Sequence, residues 1–446
     1  MFWQAPSSLE CGMGDFVFGY CFCHVARMQL MSSRVQLLWM VLVALLLAAC
    51  NKDNPQPEQP RFDALRVPQS FNWSSISNLI INVTVNSGHN GMVLDLRDVQ
   101  GRRIDRVVIA NDRARFNVRL GAELRDVVIH CPMNGQDLLL PAFNASEFMA
   151  LSSVAAANWN AAADTDGDSI PDPWDDYPSD PQRAFLVQIP YIGEHYVLFD
   201  DSWPTKGDYD FNDVVLSNRM QLQYDARKRL LKGDVQVKLL AYSAEQDWGI
   251  GMELFSSVAG STYAYPFGSA AFFSGVSRDD SVDNCAIITP NARNLQRVAY
   301  RNDGVGLTAR PDGVNFSFTW DASIGGDHLW PNFFIFPSLE RSRELHAFGY
   351  PPTIAAEMSH FSTVDDASIS RWNWLGSFAM PNAFYRSYRN LPWGVEFFHS
   401  DFRIPRAGVD LATAYPLLTN WAEQAGGTNL SWRDFPNNQQ VVQIPQ

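Results

Sequence analysis

Between Phe62 and Ala142 apolar and polar positions trade places with the two-residue period of half-buried strands. Leu79-Ile80-Ile81-Asn82-Val83-Thr84-Val85, Met92 to Leu96, Val107 to Ile109, Arg115 to Arg119 and Val127 to Ile129 are the recurring segments. Gly88, Gly91, Gly101 and Asn111-Asp112 stand between them and supply the backbone freedom that tight turns need. Short strands at this spacing predict an immunoglobulin-like sandwich over residues 62–145. From Phe185 the same pattern resumes. It includes a long hairpin, Val214 to Tyr224 and Leu230 to Tyr242 around the turn Asp225-Ala226-Arg227-Lys228, then strands at Gly251–Phe255, Val314–Trp320 and Phe333–Phe336. Only near the end does the spacing become helical, with Leu411, Tyr415, Leu418 and Trp421 inside Gly408–Gln424, where Pro416 should kink or divide the helix. The pattern predicts an all-β fold, its second part a large antiparallel sandwich over residues 184–440 with a short C-terminal helix. Residues 146–163, rich in Ala, Ser and Asn, form a linker or a short helix and lead into an Asp-studded stretch, the two together making a joining segment over 146–183.

The amino-terminal part breaks this pattern. Leu37–Ala49 (LLWMVLVALLLAA) is apolar throughout and ends at Cys50. A bilayer-spanning helix needs roughly 20 apolar residues, so the run suits a signal-peptide core, with Arg34 as its positive flank. Leu47-Ala48-Ala49-Cys50 looks like a bacterial lipobox, in which the cysteine is acylated and becomes the new N-terminus; an ordinary cleaved signal or a short anchor is the alternative. Residues 28–50 are thus a lipoprotein signal peptide and Cys50 the lipidation site. Residues 1–27 fit no signal pattern. Cys11, Cys21, Cys23 and His24 could suggest a metal cluster, but an over-extended start before Met28 or Met31 accounts for them. Residues 51–61, polar and Pro-rich, form an extended tether. Asn51, where Asp would favour inner-membrane retention, points to the outer membrane, periplasmic or surface-facing.

Composition narrows the partners. Net charge is −14, with 34 basic against 48 acidic residues, which argues against nucleic acid. Beyond Cys50 only Cys131 and Cys285 remain, able to pair in an oxidising compartment or to stay as buried thiols.

The densest chemistry is Asp164-Thr165-Asp166-Gly167-Asp168-Ser169-Ile170-Pro171-Asp172-Pro173-Trp174-Asp175, with carboxylates at positions 1, 3, 5, 9 and 12 and no Lys or Arg. Such a run repels itself unless a cation neutralises it, and calcium takes roughly six to eight oxygen ligands from short side chains and a backbone carbonyl. The other account is a solvated acidic linker with Asx-turns. Pro171, Pro173, Pro178 and Pro181 forbid the flanking helices of an EF-hand. A second acidic stretch, Asp200, Asp201, Asp208, Asp210, Asn212 and Asp213, is a candidate second metal or ligand site, or else turn chemistry at a strand entrance. Trp203, Trp248, Trp320, Trp330, Trp372, Trp374, Trp393, Trp421 and Trp432 could offer aromatic platforms for sugar rings, or fill the core. Catalysis finds little support: there is no Gly-x-Ser-x-Gly elbow, zinc helix or phosphate loop, and His195, His346 and His399 are isolated in sequence. Arg343, Glu344 and His346 lie together and could face a cleft.

Three blocks, Asp164–Phe185, Leu198–Val215 and Leu391–Pro405 with Ala414–Gly427, resemble the LruC-type bacterial lipoprotein domain family over about residues 164–440. That family implies an envelope lipoprotein domain with no assigned reaction. The first block also resembles one thrombospondin type 3 repeat, which implies Ca2+ on Asp164, Asp166, Asp168, the Ile170 carbonyl, Asp172 and Asp175. Such repeats come in tandem arrays; here there is one. The expectation is a lipid-anchored, calcium-stabilised envelope protein that binds or scaffolds a glycan or protein ligand. A calcium-dependent carbohydrate-binding module is the alternative, and a hydrolase of envelope polymers a more distant one.

Overall fold

The structure is a computed structural model that describes residues 61–141, 145–256, 271–295, 313–325, 329–368 and 384–442. The signal peptide, Cys50, the Cys11–His24 cluster, Trp372 and Trp374 lie outside the described residues. Pro60–Gln446 form one compact unit.

Seven strands build the first sandwich: β1 (Ile76–Val85), β2 (Val93–Asp98), β3 (Arg103–Val108), β4 (Arg113–Gly121), β5 (Asp126–Cys131), β6 (Gln136–Pro141) and β7 (Ala145–Met149). They form sheets ordered β4-β1-β7 and β3-β2-β5-β6. The alternation that predicts them is real burial: Leu79, Ile81, Val83 and Val85 point inward while Asn82 and Thr84 face out. Asn111 and Asp112 both take positive φ, 51° and 58°, as the hairpin turn between β3 and β4 requires. A helix, Ser153–Ala161, follows β7 and leads into the Asp loop.

The second sandwich contains β8 (Phe185–Ile189), β9 (Glu194–Phe199), β10 (Val214–Tyr224), β11 (Arg229–Tyr242), β12 (Trp248–Ser256), β13 (Phe272–Ser274), β14 (Ser277–Arg278), β15 (Cys285–Thr289), β16 (Val314–Gly325), β17 (Leu329–Pro337), β18 (Leu345–His346) and β19 (Gly394–His399). One sheet runs β13-β16-β11-β10-β9-β19, with β8 also on β10; the other runs β14-β15-β12-β17-β18. The predicted long hairpin is β10 and β11, paired from Val214↔Tyr242 to Tyr224↔Leu230 with register shifts at Val215/Leu216 and Gln223/Tyr224. The C-terminal helical pattern becomes two helices, Leu411–Ala414 and Leu417–Glu423, divided at Pro416.

The apolar core is continuous across both sandwiches. One cluster runs from Ile81 and Phe116 through Ile170 and Trp174 of the Asp loop to Phe185 and Tyr224. A second cluster covers the other face of β9, β10 and β19, where Phe62, Phe71 and Trp73 pack with Tyr209, Phe397, Trp421 and Trp432. The domain boundary therefore differs from the one drawn at residue 62. Residues 62–73 belong to this C-terminal cluster, fastened by Trp73 Nε1 donating to the Asn390 carbonyl at 2.6 Å, and the first sandwich starts at β1.

Trp203, Trp248, Trp320, Trp330, Trp393, Trp421 and Trp432 are all at most 9% exposed. They fill the core and offer no stacking platform. Cys131 and Cys285 are both buried and free. No helix among the described residues is long and apolar enough to cross a membrane.

Candidate metal centre at the domain junction

The Asp loop is held by its apolar residues and spends its polar ones on itself. Ile170 and Trp174 sink into the core, and Trp174 stacks on Trp159 of the preceding helix with ring centroids 5.2 Å apart. Gly167 and Ser169 take positive φ, 78° and 86°, and this curls the backbone around Asp164. Its carboxylate accepts the N–H of Gly167 at 2.8 Å and of Ser169 at 3.1 Å. The next acids repeat the device. Asp166 Oδ1 accepts from Asp168 N–H, Asp168 Oδ1 from Ile170 N–H, and Asp175 Oδ1 from Tyr177 N–H.

Each of these three carboxylates has a second oxygen, and there the local bonding stops. Asp166 Oδ2, Asp168 Oδ2 and Asp175 Oδ2 are buried without a hydrogen-bond partner. Carboxylate oxygens of Asp164, Asp166 and Asp168 lie within 4.8 Å of one another. Burial, then repulsion from Asp168 and Asp166, pushes Asp175 up to about 7. Asp168 is raised by burial and by its neighbours Asp166 and Asp164. Buried anions without counter-charge are costly, and hard oxygen donors crowded in this way suit a calcium-like cation.

Of the predicted ligands, Asp164, Asp166 and Asp168 are brought together, and Asp175 is close enough to feel them. Asp172 is placed differently. Its two oxygens accept from Thr165 N–H at 2.8 Å and Thr165 Oγ1 at 2.7 Å, and these bonds lower its pKa. Ile170 contributes a buried side chain, with its N–H on Asp168.

The loop sits where the two sandwiches meet, among cross-domain contacts far apart in sequence. Arg106 donates to the Trp174 carbonyl at 2.7 Å and pairs with Asp95. Arg103 holds Asp176 through two contacts of 2.8 Å. Lys228, at the tip of the β10–β11 hairpin, bonds Asp105 of β3 at 2.7 Å. On the other side of the junction Arg119 of β4 pairs with Glu396 of β19 at 2.8 Å.

The second acidic stretch joins the end of β9 to the start of β10. Asp200 is fully buried, accepts N–H groups of Ser202 and Tyr209, and is raised to about 6 by that burial. No Cβ would fit at Gly207 against its carboxylate. Burial, with like-charge neighbours, raises Asp210 to about 7 and Asp213 to about 8, and raises Asp201. Asp213 accepts from Asp201 N–H and Ser243 Oγ; Asn212 donates to the carbonyls of Pro405 and Arg406. Asp208 accepts from Asp210 N–H. These bonds tie the stretch to itself and to residues 405–408, and no three of its carboxylates converge as those of the first loop do.

The histidines isolated in sequence are paired in space. His195 meets Glu396, His399 meets Asp434 and His346 meets Glu344, each at 2.9 Å. His346 and Glu344 are buried within a network that includes Arg341, Asn332 and Thr353, not at a cleft. Arg341 and the neighbouring Glu253, whose carboxylate is buried on β12, carry no motif and were not foreseeable from spacing.

Fold and site together define an all-β protein of two sandwiches with an acidic loop at their junction. Within it, residues 232–432 match the family described as a domain of unknown function (DUF4842). No curated protein matches the chain. Among solved structures, a Bacteroides ovatus protein provisionally named a lipoprotein superposes with a TM-score of 0.40 at 14% identity, over 73% of this chain and 91% of that one. The full-length pilus protein RrgB of Streptococcus pneumoniae gives 0.11 at 6% identity, over 60% and 48%.

Proposed function

We propose that this chain is an envelope lipoprotein, anchored through acylated Cys50, in which a calcium ion stiffens the junction of two β-sandwiches that bind or scaffold a ligand. The observation that carries the ion is the set of buried, partnerless oxygens on Asp166, Asp168 and Asp175 beside Asp164. An ion there turns binding energy into folding energy for a segment whose apolar anchors, Ile170 and Trp174, leave its carboxylate oxygens buried without counter-charge. The anchor rests on the lipobox-like Leu47–Cys50 after its apolar run.

Thermal melts with calcium and with chelator test the ion. Calcium at roughly a hundred times its Kd should add about 2.7 kcal/mol, a rise of at least a few degrees in Tm. Asp168→Asn and Asp175→Asn should shrink that rise. Asp172→Asn, which touches Thr165 instead, should leave it in place. Equal melting temperatures with calcium and chelator refute the structural ion.

A further inference from the structure

A cleft of about 660 Å³ opens at the junction, walled by β3 and β4, by residues 168–170 of the Asp loop and by the β10–β11 turn. On β4 the inward residues Ala114 and Phe116 are buried, which turns Arg113 and Arg115 outward. Across the cleft stands Arg227. Its turn is held rigidly: Asp225 Oδ1 accepts the N–H groups of Arg227 and Arg229, and Lys228 reaches over to Asp105.

The charges in this cleft do not cancel. Lys228 and Asp105 form an ion pair, which leaves Arg113, Arg115 and Arg227 against Asp168 alone. None of the three guanidiniums has an acidic partner among the described residues, although the chain carries a net charge of −14. Arginines that shun abundant carboxylates and converge on one cavity are suited to an incoming anion. Their planar forks bind carboxylate, sulfate or phosphate oxygens in pairs.

We infer that this cleft binds a sugar-sized ligand carrying two or more acidic groups, held between Arg113 and Arg115 on one wall and Arg227 on the other. The inference names a ligand class for the binding role proposed above and does not depend on the ion. An ion on Asp168 would remove the one uncompensated negative charge in the cleft and should tighten the ligand.

Calorimetric titration of the full chain in calcium tests the site with four probes: an oligogalacturonate, a chondroitin sulfate tetrasaccharide, a sugar bisphosphate, and neutral maltotetraose. Saturable binding of at least one acidic probe is expected, and none of maltotetraose; which probe binds separates carboxylate, sulfate and phosphate sources. Arg113→Gln with Arg115→Gln should weaken it by about tenfold or more, and Arg227→Gln should weaken it too. These positions are exposed, so an unchanged melting temperature shows that the variants fold. Failure of every acidic probe, or wild-type affinity in the arginine variants, overturns the cleft. An absent calcium shift in the melt, with probe binding intact, overturns only the ion.

Discussion

Glu396 shows what one buried side chain can contribute. Burial alone would raise its pKa, yet the Arg119 guanidinium, His195 and the Tyr350 hydroxyl hold it down to about 2, against an ordinary 4.5. Because the folded value is depressed, its contribution is fully present above about 4.5 and is lost as pH falls toward 2. Glu396→Gln should cost about 3–5 kcal/mol at neutral pH by removing the buried carboxylate that Arg119 and His195 share. In urea titrations the gap between mutant and wild type should narrow steadily below pH 4.5; a constant gap would show that the pair's charge is irrelevant. At this scale sequence was informative where one residue type has one use. Asp164, Asp166 and Asp168 stood out by spacing, and so did the positive-φ turn Asn111-Asp112. Glu396 and Arg119 gave no such sign, since 277 positions separate them.

Among elements, the strap of residues 62–73 is the one whose role most depends on distant contacts. Phe62 stacks on Trp73 and Tyr209 with centroids 5.1 and 5.0 Å away, and Trp73 also meets Trp421 of the C-terminal helix. Phe62→Ala or Trp73→Ala should therefore cost about 3–5 kcal/mol. Leu139→Ala on β6, 63% exposed, should stay within about 0.5 kcal/mol. Chemical denaturation of the three variants checks this; a tolerant Phe62→Ala would mean the strap is not docked. The same exposure explains why β6 and β7 escaped the periodic pattern. They border their sheets, and Leu139 and Phe148 face outward, which blurs alternation. The β10–β11 hairpin was legible because its turn chemistry and the strand pattern on either side agree, although two register shifts interrupt the ladder.

For the whole molecule the junction matters most, since ion pairs, the Asp loop and the arginine cleft all meet there. With chelator, limited proteolysis should cut first within residues 150–183, while both sandwiches persist as fragments; with calcium the segment should resist. Indifference of the cleavage pattern to calcium would detach the ion from the rigidity of the joint.

The sequence by itself determined the all-β class, the long hairpin, the division of the last helix at Pro416 and the place of the acidic loop. Each of these follows from neighbours within a few positions, where period, proline geometry and charge density act locally. Only the tertiary structure decided that Phe62–Trp73 joins the C-terminal core, that nine tryptophans among the described residues fill the interior, and that Arg113, Arg115 and Arg227 share one cavity. Those outcomes depend on which surfaces of a folded chain come to face each other, and the spacing of residues along one strand carries no record of that.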